Sequence, residues 1–234
     1  MHKRPQIIAH RGASRAEREN TLAAFRRAGE LMADAVELDV RRTRDGAMAV
    51  HHDAHLADGR NIMDIDAADL PDHVPQLAAS LDACNDMWVN IEIKNWHEDV
   101  DFDASDRLAA TVANYLETRN EDARWVITSF NRATVDAMRT LIPTVRTGWL
   151  TLGVRDEDAA KVARDLANSG HIAIHPWDRF VTQTLVDTCH DNGLDVNVWT
   201  VDDPARMREL ISMGVDGIIT NVPDVALRVR SEFE

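Results

Sequence analysis

Two short segments carry charged residues at alternate positions where a buried sheet would carry none. Glu37 and Asp39 lie within residues 35–40, and Glu92 and Lys94 lie within residues 88–94. In extended chain, successive side chains point to opposite faces. Glu37 and Asp39 therefore share one face and Val36, Leu38 and Val40 the other, just as Asn90, Glu92 and Lys94 oppose Val89, Ile91 and Ile93. Three carboxylates gathered in a confined space cannot all stay ionised without a cation. All-oxygen ligation favours a hard ion, one Mg²⁺ or Ca²⁺, over zinc. His10 ends the strand-like run Gln6–His10 and is followed by Arg11 and Gly12; His52, between His51 and Asp53, sits at the end of residues 47–53. Two imidazoles with pKa values near neutrality can share one task, taking a proton from an attacking oxygen and giving one to a leaving oxygen, as cleavage of a phosphodiester requires.

These residues need a scaffold that brings strand ends together. Short apolar runs alternate with amphipathic segments along the whole chain. Strand patterns cover Gln6–His10, 35–40, 47–53, 88–94, 124–130, 146–152, 171–177, 195–201 and Gly217–Thr220. Helical patterns cover 21–32, 77–86, 105–119, 133–141, Asp156–Asn168, 182–190, Pro204–Met213 and 223–233. Asn20, Asn131 and Asp203 stand where helix N-caps are wanted. About eight strand–helix units in a chain of this length predict an α/β fold, a single-domain (β/α)8 barrel spanning residues 1–234. An Asp45-Gly46 turn makes residues 47–53 a hairpin extension of the second strand, and residues 54–76 a polar excursion, so that a short insertion occupies about 47–76. In a barrel the apolar strand faces meet the helices, and the carboxylates point inward near the C-terminal ends, where barrel enzymes build their sites.

Composition narrows the partners. The 234 residues include 26 Lys and Arg against 40 Asp and Glu, a formal charge of −14. That field argues against binding nucleic acid or anionic lipid, and leaves room for a small phosphorylated substrate where a site supplies local positive charge. No apolar run approaches the length of a membrane span, so stable membrane insertion is not expected. Cys84 and Cys189 form no metal-binding spacing, and the opening Met-His-Lys-Arg-Pro leads at once into a strand, which makes the cytoplasm the expected compartment. The histidines at 2, 55, 73, 97, 171 and 190 lack chemical company and read as surface residues, whereas His175, before Pro176 and Trp177, is a possible substrate-side residue. Trp199 shares a face with Asn197 and is expected to point into the pocket.

The ordered set of local motifs resembles the glycerophosphodiester phosphodiesterases over nearly the whole length. The set runs Ala9-His10-Arg11-Gly12, Glu19-Asn20-Thr21, Glu37-Leu38-Asp39-Val40, Thr43-Arg44-Asp45-Gly46, His52-Asp53, Glu92-Ile93-Lys94, Val198-Trp199-Thr200-Val201 and residues 214–220. The resemblance implies a (β/α)8 barrel that hydrolyses glycerophosphodiesters to glycerol 3-phosphate and an alcohol with one divalent cation. By motif matching, His10 and His52 take the acid–base roles, Glu37, Asp39 and Glu92 hold the metal, and Arg11 and Lys94 bind phosphoryl oxygens. Trp199 would pack on the substrate, and Glu19 would orient Arg11 or line the site. The chain departs from the family pattern in having Arg18 before Glu19-Asn20-Thr21, in residues 56–60, in Asn221-Val222, and in Asp202 after Trp199-Thr200-Val201. A lysophospholipase D or sphingomyelinase-D-like activity uses the same barrel and paired histidines but needs an apolar rim, for which Trp177 and Phe180 are the apolar loop pair. A catalytically silent phosphate-binding barrel is the remaining alternative. The sequence leaves the oligomeric state unknown.

Overall fold

The computed structural model describes residues 4–234, so the surface reading of His2 lies outside the described residues. The alternation read along the chain resolves into consecutive strand–helix units. β1 (Gln6–His10) leads to α1 (Leu22–Glu30); β2 (Ala35–Arg42) turns through Asp45-Gly46 into β3 (Met48–Val50), and the excursion then reaches α2 (Leu77–Ala83). The next three units are β4 (Trp88–Ile93) with α3 (Arg107–Arg119), β5 (Trp125–Ser129) with α4 (Arg132–Leu141), and β6 (Arg146–Thr151) with α5 (Asp156–Asn168). The last three are β7 (Ala173–Pro176) with α6 (Gln183–Asp191), β8 (Asp195–Val198) with α7 (Pro204–Met213), and β9 (Gly217–Thr220) with α8 (Pro223–Ser231).

The strands other than β3 pair in parallel in the order β1-β2-β4-β5-β6-β7-β8-β9, and β9 pairs back to β1 to close the barrel. β3 adds antiparallel to the end of β2. Outward residues Val36, Leu38, Val40, Val89, Ile91 and Ile93 pack with Phe25 of α1, Leu81 of α2 and Leu116 of α3 in one apolar cluster. Each such fully buried side chain contributes about 1.5–3 kcal/mol. A second cluster covers the opposite half, from Ile174 through Leu210 to Val229. The excursion has its own small core of Ala49, Leu56, Ile62, Ile65 and Val74, with two single-turn 3-10 helices. Cys84 and Cys189 are both free and buried. Among the described residues no helix is long and apolar enough to cross a membrane.

Several local readings change. Residues 47–53 pair only over Met48–Val50, so His52 stands on the loop beyond the hairpin. The cap of α1 is Thr21, whose hydroxyl accepts from the Ala24 N–H, and Asn20 has φ 55° and a different task. His171 is not a surface residue: 4% exposed, it contacts Thr147 through Nδ1 and Asp136 through Nε2, both at 2.7 Å. His175 is fully buried in the bore. Its Nε2 accepts from Asn197 Nδ2 at 3.0 Å, its Nδ1 has no partner, and its carbonyl accepts from the Trp199 indole N–H at 2.8 Å. It therefore supports Trp199 from below and does not line the cleft described next.

Burial pulls the His175 imidazole down to about 3. In the unfolded chain the same group titrates near 6.5, so as pH falls the unfolded state takes the proton first. Stability is complete above that value and declines below it, by up to about 1.4 kcal/mol per pH unit. The acid-unfolding midpoint, followed by circular dichroism, is expected to move to lower pH in His175→Gln; an unchanged midpoint would assign the loss to other groups.

Candidate active site

Strand register assembles the site. His10 on β1 pairs with Glu37 on β2, Glu37 pairs with Asn90 on β4, and Asp39 pairs with Glu92. His10 is the last residue of β1, and the register levels Glu37 and Asn90 with it and Asp39 and Glu92 just beyond, so residues far apart in sequence come together toward one end of the bore. Glu37, Asp39 and Glu92 are buried, and one oxygen from each lies within 4.8 Å of the others. Glu37 Oε1 and Asp39 Oδ1 are buried with no hydrogen-bond partner among the described residues, and Lys94 Nζ is 3.5 Å from that Asp39 oxygen. Orphaned carboxylate oxygens converging on one point are what a hard cation requires, so the residues fit a divalent ion.

Two fixed cations flank the cluster. Lys94 Nζ is 2.8 Å from Glu92, and Arg11 reaches Asp39 Oδ2 at 3.3 Å and Glu19 at 2.9 Å. Glu19 thus contacts Arg11 from the solvent side. Burial, then repulsion from Asp39 and Glu92, pushes the Glu37 carboxyl well above the usual range. Burial also raises Glu92, against the pull of Lys94. For Asp39, burial is outweighed by Lys94 and Arg11, and its carboxyl is held below the usual range. The cluster without a cation therefore favours the ionised form of Asp39 and disfavours that of Glu37.

The turn after β1 is tight. Gly12 has φ +82°, and a Cβ there would lie 2.6 Å from the Ala24 backbone. This close approach lets the Arg11 N–H donate to Glu37 Oε2 at 2.9 Å. His10 and His52 line one cleft together with Arg11, Glu37, Asn90, Glu92, Lys94, Phe130, Leu150 and Trp199. His10 Nδ1 lies 2.7 Å from Asn221 Oδ1, its Nε2 is 3.9 Å from Glu37, and burial followed by the Arg11 charge lowers its pKa to about 4. It is a neutral imidazole at pH 7. His52 Nδ1 lies 2.7 Å from Asp53, which orients the ring.

Three supports escaped the sequence reading. Asn20 donates from Nδ2 to Asp39 Oδ2 at 2.8 Å, fixing a carboxylate. Arg41, buried on β2, donates through Nε to the His52 carbonyl at 2.7 Å while its guanidinium grips Asp99 and Asp101. The departures Asp202 and Asn221 meet each other, at 2.7 Å, and Asn221 meets His10. For Arg41 the available signal was a charged residue in a strand that is otherwise buried along almost its whole length; its carboxylate partners lie 58 and 60 residues away and carried none.

A cavity of about 560 Å³ opens from the His52 side of the cleft, walled by Trp96, Val100, Phe130 and Leu152 with Arg41, Asp53 and Asp99. The apolar rim is thus broader than Trp177 with Phe180. Trp96, Phe130 and Trp199 form successive edge-to-face contacts, and Trp199 stacks on Trp177.

Residues 10–225 match the model of the glycerophosphoryl diester phosphodiesterase family. The chain belongs to this family. A glycerophosphodiester phosphodiesterase of Caldanaerobacter subterraneus subsp. tengcongensis is 31% identical over 95% of this chain and 96% of its own. A solved glycerophosphodiester phosphodiesterase from Thermotoga maritima is 25% identical, with a TM-score of 0.80 over 98% of this chain and 100% of that one. An Oleispira antarctica phosphodiesterase, solved in complex with the product sn-glycerol-3-phosphate, shares the fold at a TM-score of 0.85, with 24% identity and 97% of each chain covered. As a family member the protein is a phosphoric diester hydrolase, and its (β/α)8 barrel is the family fold.

Proposed function

We propose that the protein hydrolyses glycerophosphodiesters to glycerol 3-phosphate and an alcohol, with His10 as general base, His52 as general acid and one divalent cation, Mg²⁺ or Ca²⁺, held by Glu37, Asp39 and Glu92. The observation that carries this reading is the meeting, in one cleft, of two imidazoles, the carboxylates Glu37 and Glu92 and the cations Arg11 and Lys94, with Asp39 completing the acidic triad. sn-Glycerol 3-phosphate, the product held by the Oleispira protein, is also the product assigned here.

The neutral His10 Nε2 takes the proton of the attacking oxygen as that oxygen bonds to phosphorus. Attack by water gives glycerol 3-phosphate directly, and attack by the substrate's own hydroxyl gives a cyclic phosphate that water then opens, with the two histidines exchanging roles. His52 Nε2–H protonates the leaving oxygen as the opposite P–O bond breaks, and Asp53 steadies the charged ring. Arg11 and Lys94 bind the phosphoryl oxygens and stabilise charge growing on them. A bound dication would offset the charge of the triad and polarise the phosphoryl group. The alcohol departs on the His52 side, into the cavity of about 560 Å³. Two buried free thiols suit a reducing compartment, in keeping with a cytoplasmic enzyme.

Release of glycerol 3-phosphate from glycerophosphocholine, measured by coupled oxidation with Mg²⁺ or Ca²⁺ present, is the expected result. Absence of turnover with either ion would overturn the reading and favour the silent barrel. The exposed rim residues Val100 (61%), Leu152 (54%) and Phe180 (50%) favour a second reading, a lipid substrate at the same site. Glycerophosphocholine is expected to outpace lysophosphatidylcholine; a strong preference for the acylated substrate would reverse that order.

A further inference from the structure

Three neighbouring strands each deliver one polar residue to a continuous chain of hydrogen bonds that leads from His10 to two residues with no part assigned in the reaction. His10 ends β1, Asn221 follows β9 and Asp202 lies beyond β8. β1 and β9 are paired with Ala9 opposite Thr220, which sets His10 and Asn221 side by side.

The direction of every bond in this chain is fixed from one end. Asp202 accepts three donors: the Asn221 backbone N–H at 2.9 Å, the Thr220 hydroxyl at 3.0 Å and Asn221 Nδ2 at 2.7 Å. The Thr220 hydroxyl itself accepts from the Val222 N–H at 3.1 Å, so its own hydrogen is free to go to Asp202. A carboxylate cannot donate, so the amide of Asn221 has its nitrogen toward Asp202 and its oxygen toward His10. Ser14 Oγ donates to the same oxygen at 2.9 Å. Reversing the amide would set its oxygen against the carboxylate and its N–H₂ against the other two groups. With only an acceptor facing it, Nδ1 of His10 must carry the hydrogen. The lone pair is then on Nε2, the atom turned toward Glu37.

We infer that Asn221 and Asp202 are positioning residues that lock His10 in the Nδ1–H form, so that Nε2 is unprotonated and aimed at the reacting hydroxyl. An amide oxygen achieves this without setting a second charge against the ring, and the carboxylate one step further out keeps the amide from turning over. This inference rests on the reading of His10 as base, but its central claim, the position of a proton, is open to direct measurement.

In protein with ¹⁵N-labelled histidine and Mg²⁺, two-bond nitrogen–proton correlations should show His10 with a protonated Nδ1 and a pyridine-like Nε2. In Asp202→Asn the amide loses its fixed direction. The His10 signals should move toward the Nε2–H form, and kcat should fall by roughly 10- to 100-fold, the scale seen when outer-sphere orienting partners are removed. KM for glycerophosphocholine and the Mg²⁺ activation constant should change by no more than about two-fold, because no contact to substrate or metal is lost. Asn221→Asp sets two carboxylates side by side and should also lower kcat. The D202N/N221D double variant again closes the chain on a carboxylate and should recover most of the rate. A wild-type spectrum with Nε2 protonated overturns the inference, as does a D202N protein with unchanged kcat and spectrum, or a double variant whose loss equals the product of the two single losses. Were the protein to cleave no diester, the spectra would still decide the proton's place, so failure of the functional reading is distinguishable from failure of this one.

Discussion

The His10→Ala protein is expected to lose about 10³-fold in kcat, within the range for loss of a general base, with little change in thermal stability. His10 is held by Asn221 and points into a cleft, so its removal leaves the apolar clusters on the outside of the barrel untouched. His52→Ala suffers a similar loss with an alkyl leaving group. The two variants should part when the leaving group is p-nitrophenolate, which departs without a proton. His52→Ala is then restored to near wild-type rates, whereas His10→Ala stays impaired, because the attacking hydroxyl still has to be deprotonated. Equal behaviour of the two variants on the activated substrate would overturn the division of labour between the histidines, and near-normal rates in His10→Ala with glycerophosphocholine would remove it from the reaction altogether.

Removal of divalent ions should abolish turnover, with Mg²⁺ or Ca²⁺ restoring it. The accompanying pH dependence has a definite sign. Burial and mutual repulsion raise the Glu37 carboxyl, so a proton competes with a cation for it. Affinity therefore rises with pH until Glu37 is ionised in the free protein, and loading in weak buffer releases a proton. A cation at one hundred times its Kd adds about 2.7 kcal/mol of stability, visible as a rise in Tm. Glu37→Gln reverses part of this pattern. It replaces a buried carboxyl, whose ionisation burial disfavours, by a neutral amide of the same shape, so the cation-free protein should be at least as stable as wild type, while the cation-dependent rise in Tm and the turnover should be lost. Turnover that survives EDTA, or a Tm indifferent to both ions, would remove the cation from the site.

Both experiments bear on residues whose placement along the strands was legible before any coordinates. Alternation places Glu37 and Asp39 opposite Val36 and Leu38 whatever the tertiary context, because strand side chains alternate by geometry. The same alternation, repeated about eight times with short connections, suits a closed parallel barrel better than an open doubly wound sheet, because helices cover both faces of an open sheet, whereas here one face of the strands at 35–40 and 88–94 is charged. His10, Glu37, Asp39 and Glu92 were therefore legible as inward-facing candidates, and the barrel's register sets them at one level toward one mouth.

The supports around that cluster were not legible, because hydrogen bonds between distant residues leave no periodic trace. Asn20 reads as a helix cap from its neighbours, yet Thr21 takes that role and Asn20 turns to Asp39. His175 sits in a strand pattern that permits either a cleft-facing or a bore-filling side chain, and only packing against Asn197 decided for the bore. Asp202 and Asn221 looked like two unrelated departures nineteen residues apart. Closure of β1 on β9, with β8 alongside, makes them adjacent and connects them to His10. The sequence by itself determined which residue types face inward and at which strand ends, since that follows from backbone geometry alone. The tertiary structure decided which of them touch and where the hydrogens between them lie, because those depend on barrel closure and on a register that local patterns do not encode.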